Sequence, residues 1–172
     1  VSDNELNFNY LNKLSVIMSI ISFHILPVIF SKLDLFRNFF KKDNLFVILI
    51  TLLISIVSIY YFDYELENTG GGIFLHFSHF IDQNDLIFLF ILPLLIFFVI
   101  KLVSIDYKHN LILLFSLIIL TPQFSVYHKY YDPLVLILCF TVFKFDINKQ
   151  YFKIRNMIFL YLFYLSYYLI TF

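Results

Sequence analysis

Between Glu65 and Asp85 the chain reads ELENTGGGIFLHFSHFIDQND, the longest break in an otherwise nearly continuous series of apolar runs. It holds all three glycines, two of the five histidines and four of the twelve acidic residues. Two apolar runs precede it and four follow. The runs are Leu14 to Phe30, Leu45 to Tyr61, Leu86 to Ile100, Leu111 to Phe124, Pro133 to Phe143 and Met157 to Phe172. Crossing a bilayer core of about 30 Å takes roughly 20 helical residues, so most of these runs suit single spans extended by interfacial tyrosines. Pro133 to Phe143 is too short to span without help from neighbouring protein or thinned lipid.

Composition points the same way. The chain is 61% hydrophobic and 14% charged, with a mean hydropathy of +0.87. Soluble domains carry about 25% charged residues, and this chain has too few to cover a globular surface. The expectation is an all-α, polytopic membrane protein: one integral membrane domain over 1–172, with about six transmembrane helices and one interfacial amphipathic helix. A net charge of zero offers no basic face to phosphates and excludes a nucleic-acid partner. Membrane lipids are the expected surroundings. The single cysteine, Cys139, rules out an internal disulfide framework. Alanine and tryptophan are absent while Phe, Ile, Leu, Tyr, Asn and Lys abound, a bias of AT-rich coding. The expected location is a bacterial inner membrane, with an organellar or endoplasmic reticulum membrane as the alternative. A start at Val1, without a basic leader, reads as the C-terminal fragment of a longer chain.

Charge sorting sets the orientation. The segment 31–44 holds four Lys or Arg, 101–110 holds two and 144–156 holds four, so ten of the twelve basic residues share one side if six spans alternate. Asp63, Glu65, Glu67, Asp82, Asp85 and Asp132 then fall on the opposite, outer side, together with both termini.

Within the first run, Ser15, Ser19 and Ser22 lie near one helical face, a spacing that lets helices approach. His24 and Pro27 follow in the same run. An intramembrane histidine is a functional candidate; the alternative is a ring bonded to a neighbouring helix or to backbone freed by Pro27.

In the opening stretch, Gly70-Gly71-Gly72 permits positive φ and close approach of another group; a flexible turn is the alternative to a phosphate nest, since the lysine spacing of a P-loop is missing. Ile73 to Gln83 has helical periodicity. Ile73, Phe74, Phe77, Phe80 and Ile81 fill one arc, while His76, Ser78, His79, Asp82 and Gln83 fill the other, with Leu75 as the exception. Such a helix is expected to lie aromatic side down at the outer interface. His76 and His79, three residues apart, then serve one phosphate, one proton transfer or, with Asp82, one metal; an ordinary solvated face is the alternative. No metal and no cofactor are assigned. A second polar motif, Tyr127-His128-Lys129-Tyr130-Tyr131-Asp132-Pro133, supplies in Lys129 the one clear outer cation after the first run, suited to a lipid-linked phosphate or pyrophosphate. Interfacial anchoring by the tyrosines, with Asp132 pairing Lys129, is the alternative.

These two motifs, in this order and on one face, resemble the C-terminal part of GT-C glycosyltransferases. The likeness is nearest to the dolichyl-phosphate-glucose alpha-1,2-glucosyltransferase family, on Gly70-Gly71-Gly72, Leu75-His76-Phe77 and His128-Lys129-Tyr130-Tyr131. It covers about residues 63–143. The acidic first-loop motif of that superfamily has no counterpart here, so no catalytic residue is assigned and this piece alone is expected to be inactive. The resemblance implies sugar transfer from a polyprenyl-phosphate donor to a lipid-linked or cell-envelope acceptor. Substrate would be held by His76, His79, Asp82, His128, Lys129 and Tyr131. The competing expectation is a non-catalytic transmembrane subunit or part of a transporter or flippase.

Overall fold

A computed structural model describes residues 10–31, 45–64, 70–120, 126, 128–144 and 154–171 of the chain. The fold is all-α. In chain order the helices are α1 (Tyr10–Ser31), α2 (Leu45–Tyr60), α3 (Ile73–Asp82), α4 (Leu86–Val103), α5 (Tyr107–Ile119), α6 (His128–Thr141) and α7 (Ile154–Thr171). Among the described residues the run Leu86–Ile119 contains a helix long and apolar enough to cross a membrane, with a mean hydropathy of 3.0 over its best window.

The first helix is the axis of the bundle, and each of the other six packs on it. Its residues from Ser15 through Ile25 are buried on every side. A helix enclosed all round cannot be amphipathic, and α1 mixes Val16, Ile17, Met18, Ile20 and Ile21 with serines rather than segregating two faces. The small side chains bring helices close, as their spacing predicts. Ser15 Oγ donates to the Ser58 carbonyl of α2 at 3.2 Å, and Ser19 Oγ turns back to the Val16 carbonyl at 2.7 Å. Thr51 and Ser55 on α2 satisfy their hydroxyls within their own helix in the same manner. Lys13, next to the first apolar run in the sequence, is buried with them.

Successive long helices alternate in direction. The join between α1 and α2 pairs the start of one with the end of the other through Ser15 and Ser58. A short 3-10 turn at Ser104–Asp106, followed by an extended Asp106 (φ −133, ψ 77), folds α5 back along α4. Asn110 secures that corner. Its fully buried amide donates to the Leu102 carbonyl (3.4 Å) and the Lys144 carbonyl (3.0 Å), and its oxygen accepts the Lys144 amide (2.9 Å). The His109 ring reaches the Val142 carbonyl at 3.0 Å, and Lys144 pairs with Asp106 at 3.4 Å. At the other end Tyr131 donates to the Leu117 carbonyl, which sets α6 antiparallel to α5. The rings of Phe30 and Phe159, and of Phe23 with Phe163 and Tyr167, run α7 antiparallel to α1. One end of the bundle therefore gathers Lys101, Lys108, Lys144 and Arg155, and the opposite end gathers Asp63, Asp82 and Asp85.

The α3 helix forms over Ile73–Asp82 as its periodicity predicts. Leu75, the one misfit in the apolar arc, is fully buried together with Ser78, whereas Phe77, Phe80 and Ile81 are exposed. Asp82 and Gln83 are exposed alongside those three apolar residues, while Phe74 packs edge-on against Phe23. Ser78 has a reason to turn inward: its hydroxyl donates to the Asn84 carbonyl at 2.7 Å and accepts the Phe88 amide at 3.1 Å, so it closes the α3–α4 turn. Gln83, in the left-handed region at φ 53, ends α3 by donating its amide to the His79 carbonyl. The glycines sit deep. Gly72 has φ +79, and a Cβ there would lie 3.0 Å from Ile20 Cγ1 and 3.2 Å from Ser19 Oγ. Ser19 and Ile20 are about 14 Å along α1 from its start at 1.5 Å per residue, so the loop reaches roughly halfway down that helix. Gly72→Ala is expected to destabilise the fold by about 1–3 kcal/mol through backbone strain and crowding, read as a lowered thermal midpoint in detergent.

Candidate functional site

Of the residues proposed from sequence, those on α3 are held by separate partners. His76 Nε2 donates to the Gly70 carbonyl at 2.7 Å, so the histidine closes the glycine loop onto the first turn of α3. His79 Nε2 donates to Asp85 Oδ1 at 2.6 Å, with both side chains about one-third exposed. Asp82 is exposed and accepts from Asn84 Nδ2 at 2.8 Å. Each histidine is therefore anchored six residues away along the chain, in opposite directions, rather than turned toward the other. Among the described residues no group of three His, Cys, Asp or Glu is placed to hold a metal ion.

Tyr131 is buried, and its hydroxyl serves the Leu117 carbonyl, a tie between α6 and α5 rather than a group presented to a ligand. His128 and Lys129 begin α6, but their side chains lie outside the described residues. Helix α6 starts at the same end of the bundle as the α2–α3 connection. There, Tyr64, itself buried, accepts the Val126 amide on its hydroxyl oxygen at 3.0 Å.

A different set converges in the interior. Asp132, placed with the outer carboxylates by charge sorting, is instead buried against α1 and α7. Tyr167 donates its hydroxyl to Asp132 Oδ2, and His24 Nε2 lies 3.4 Å from Asp132 Oδ1. Tyr164 donates to the backbone carbonyl of His24 at 2.6 Å, and its ring lies nearly parallel to the imidazole (22°, 6.1 Å). Phe23 packs edge-on against His24 and Phe74, which joins this cluster to the start of α3. The His24 ring is 1% exposed, and neither of its nitrogens makes a hydrogen bond among the described residues.

The sequence marks His24 but not its partners. Asp132 follows a cation at i−3 within a polar motif, which reads as surface; its turn of α6 instead faces the central helix. Tyr164 and Tyr167 sit in an aromatic-rich terminal run whose tyrosines all look alike without knowledge of which face meets α1.

A separate apolar cavity of about 410 Å³ lies between α1, α2, α4 and α5, bordered by residues such as Met18, Ile50, Val103 and Leu114. It has no polar group positioned for chemistry. No protein-family model, curated protein or solved structure matches the chain.

Tyr167→Phe removes the hydroxyl that Asp132 Oδ2 accepts and keeps the ring. Loss of this hydrogen bond to a buried carboxylate is expected to cost about 1–3 kcal/mol, read as a lower thermal midpoint relative to the exposed control Tyr161→Phe.

Proposed function

We propose that the chain is an integral membrane protein with six spans and forms part of a glycosyltransferase acting at its lysine-poor end. The six long helices α1, α2, α4, α5, α6 and α7 alternate in direction, and basic residues gather at one end of the bundle, which supports six membrane crossings with that end on the cytoplasmic side. The observation that carries the reading is the common location of the two polar motifs. Helix α3, entered from a glycine loop that reaches down beside α1, and the start of α6 stand toward the same lysine-poor end, and the segments leading to them are joined by the Tyr64–Val126 hydrogen bond. On this reading the donor is a polyprenyl-phosphate sugar and the acceptor is lipid-linked or part of the cell envelope. Lys129 with His128 holds the donor phosphate, and the partly exposed His79 and Asp82, with His76 behind them, meet the acceptor. A fixed cation beside the departing phosphate stabilises charge that grows in the transition state.

The buried His24–Asp132 pair favours a second reading, part of a transporter or flippase, because such proteins keep ionisable groups at mid-depth between helices. Substitution separates the two. In the full-length enzyme Lys129→Ala is expected to abolish sugar transfer while leaving membrane insertion intact; unchanged turnover would remove Lys129 from the site. Orientation is checked independently. Single cysteines replacing Asp85 and Lys108, in a Cys139→Ser background, are expected to react with an impermeant maleimide from opposite sides of the membrane, Asp85→Cys from outside.

A further inference from the structure

The cavity between α1, α2, α4 and α5 lies apart from both polar motifs, and its shape, wall and surroundings fit one kind of ligand. We propose that it is a groove for one acyl chain of an anionic phospholipid, whose headgroup rests at the lysine-rich end of the bundle beside Lys108. The site presupposes the membrane location proposed above and not the sugar transfer.

Helices α2 and α5 each pack on α1 and α4 but scarcely on each other, so a cleft runs between them. All four helices supply its buried floor, through Met18 of α1, Val47 of α2, Val103 of α4 and Leu114 of α5. Its rim is open, with Phe46 on one side and Leu111 and Phe115 on the other all exposed. On α5 the lining recurs at positions 107, 111, 114, 115 and 118, which share one helical stripe. That stripe is about 16 Å long at 1.5 Å per residue, close to half of the roughly 30 Å hydrocarbon core of a bilayer. The cleft therefore has the length of a lipid tail in one leaflet. Its volume of about 410 Å³ lies within the range of ligand sites.

The wall chooses among occupants. It is apolar along its whole length. Water needs polar partners and finds none on this surface. A sugar or phosphate would give up its hydration without replacement. A hydrocarbon chain loses nothing there and supplies the dispersion contacts that helices held apart cannot make with each other. Beyond the rim, Leu53 on α2 and Ile112 on α5 are exposed and apolar too, so the cleft opens onto the surroundings that suit a lipid tail.

Charge sets which way the lipid lies. At one end of the cleft, Phe46, Ser104 and Tyr107 stand where Lys101, Lys108 and Lys144 gather. Lys108 is exposed and falls about 20° from Phe115 around α5 at 100° per residue. Its Cα–Cβ bond tilts toward the start of that helix, which brings the lysine to the rim at this end. Asp106, the acid nearby, is paired with Lys144 at 3.4 Å. The other end, at Leu14, Ile54 and Ile118, points toward Asp63, Asp82 and Asp85, and Lys13 beside it is buried in the bundle. An anionic headgroup is attracted to the first end and repelled from the second, whereas a zwitterionic one gains little from either.

The test is native mass spectrometry of the whole chain released from detergent, with phosphatidylglycerol or phosphatidylcholine of identical tails. The expected result is one retained lipid per chain, with phosphatidylglycerol favoured about fivefold, the worth of one lysine near an anionic surface. Ile50→Trp fills the cleft and is expected to abolish retention, while Ile56→Trp, on the exposed side of α2, leaves it unchanged. Lys108→Gln keeps a retained lipid but loses the preference for phosphatidylglycerol. Retention that survives Ile50→Trp, equal loss in Ile56→Trp, or a preference that survives Lys108→Gln overturns the proposal. So does a dimer of the chain that Ile50→Trp dissolves, because a second copy then fills the cleft. Alkaline carbonate extraction of membranes separates this site from the membrane reading. A chain that resists extraction but fails the lipid test loses only the groove; a chain that is extracted loses both. Should Ile50→Trp fail to fold, the wild-type chain decides, labelled with phosphatidylglycerol carrying a diazirine in its tail. Label on Met18, Val47 or Leu114 supports the groove, and label confined to outward residues such as Ile56 overturns it.

Discussion

The enclosure of α1 is the constraint on which the rest of this structure depends. From Ser15 through Ile25 the helix has no face to spare for water or lipid, so a polar atom there is costly unless it finds a partner inside the bundle. Small side chains meet that demand at closest approach, where Ser15 bonds to α2 and Ser19 allows Gly72 to come within touching distance. The one large polar side chain near its middle, His24, stands beside a carboxylate from α6 and two phenols from α7, with neither ring nitrogen hydrogen-bonded among the described residues.

The same constraint shapes the glycine loop. Gly72 adopts a positive φ where a side chain would collide with Ile20, and the loop therefore penetrates about halfway along α1 instead of resting on the end of the bundle. His76 then closes the loop by bonding to Gly70, and Ser78 turns the chain into α4. Residues that look like a ligand-binding surface in one dimension act first as the local supports of a tight re-entry. The groups left toward the exterior are His79, tied to Asp85, and Asp82, and these keep that end of the bundle polar.

The opposite end is organised by Asn110. It bonds backbone of both α4 and the end of α6, where helix termini leave carbonyls and amides unmet. The Lys144–Asp106 pair beside it is exposed and adds little by comparison. Polar side chains thus close both ends and the centre, while the intervening length is apolar. This division lets one chain of low charge hold a defined arrangement where apolar packing alone would leave the helices free to slide.

Much of the architecture was legible in the amino-acid sequence by itself. Apolar runs separated by short polar connectors dictate helices, because a backbone in apolar surroundings must bond to itself, and the observed helices fall on the runs to within a few residues at most ends. Among the described residues Lys101, Lys108 and Lys144 lie at one end of the bundle and Asp63, Asp82 and Asp85 at the other. What the tertiary structure alone decided is which face of each helix looks inward. Periodicity sorts α3 into apolar and polar arcs, yet where the exterior is itself apolar the hydrophobic arc is free to face out, and Leu75 and Ser78 turn in. For the same reason Asp132 reads as a surface residue beside Lys129 and stands buried against His24. Orientation about a helix axis depends on long-range partners, and in a chain this uniformly hydrophobic those partners are chosen by shape and a handful of hydrogen bonds that no local pattern records.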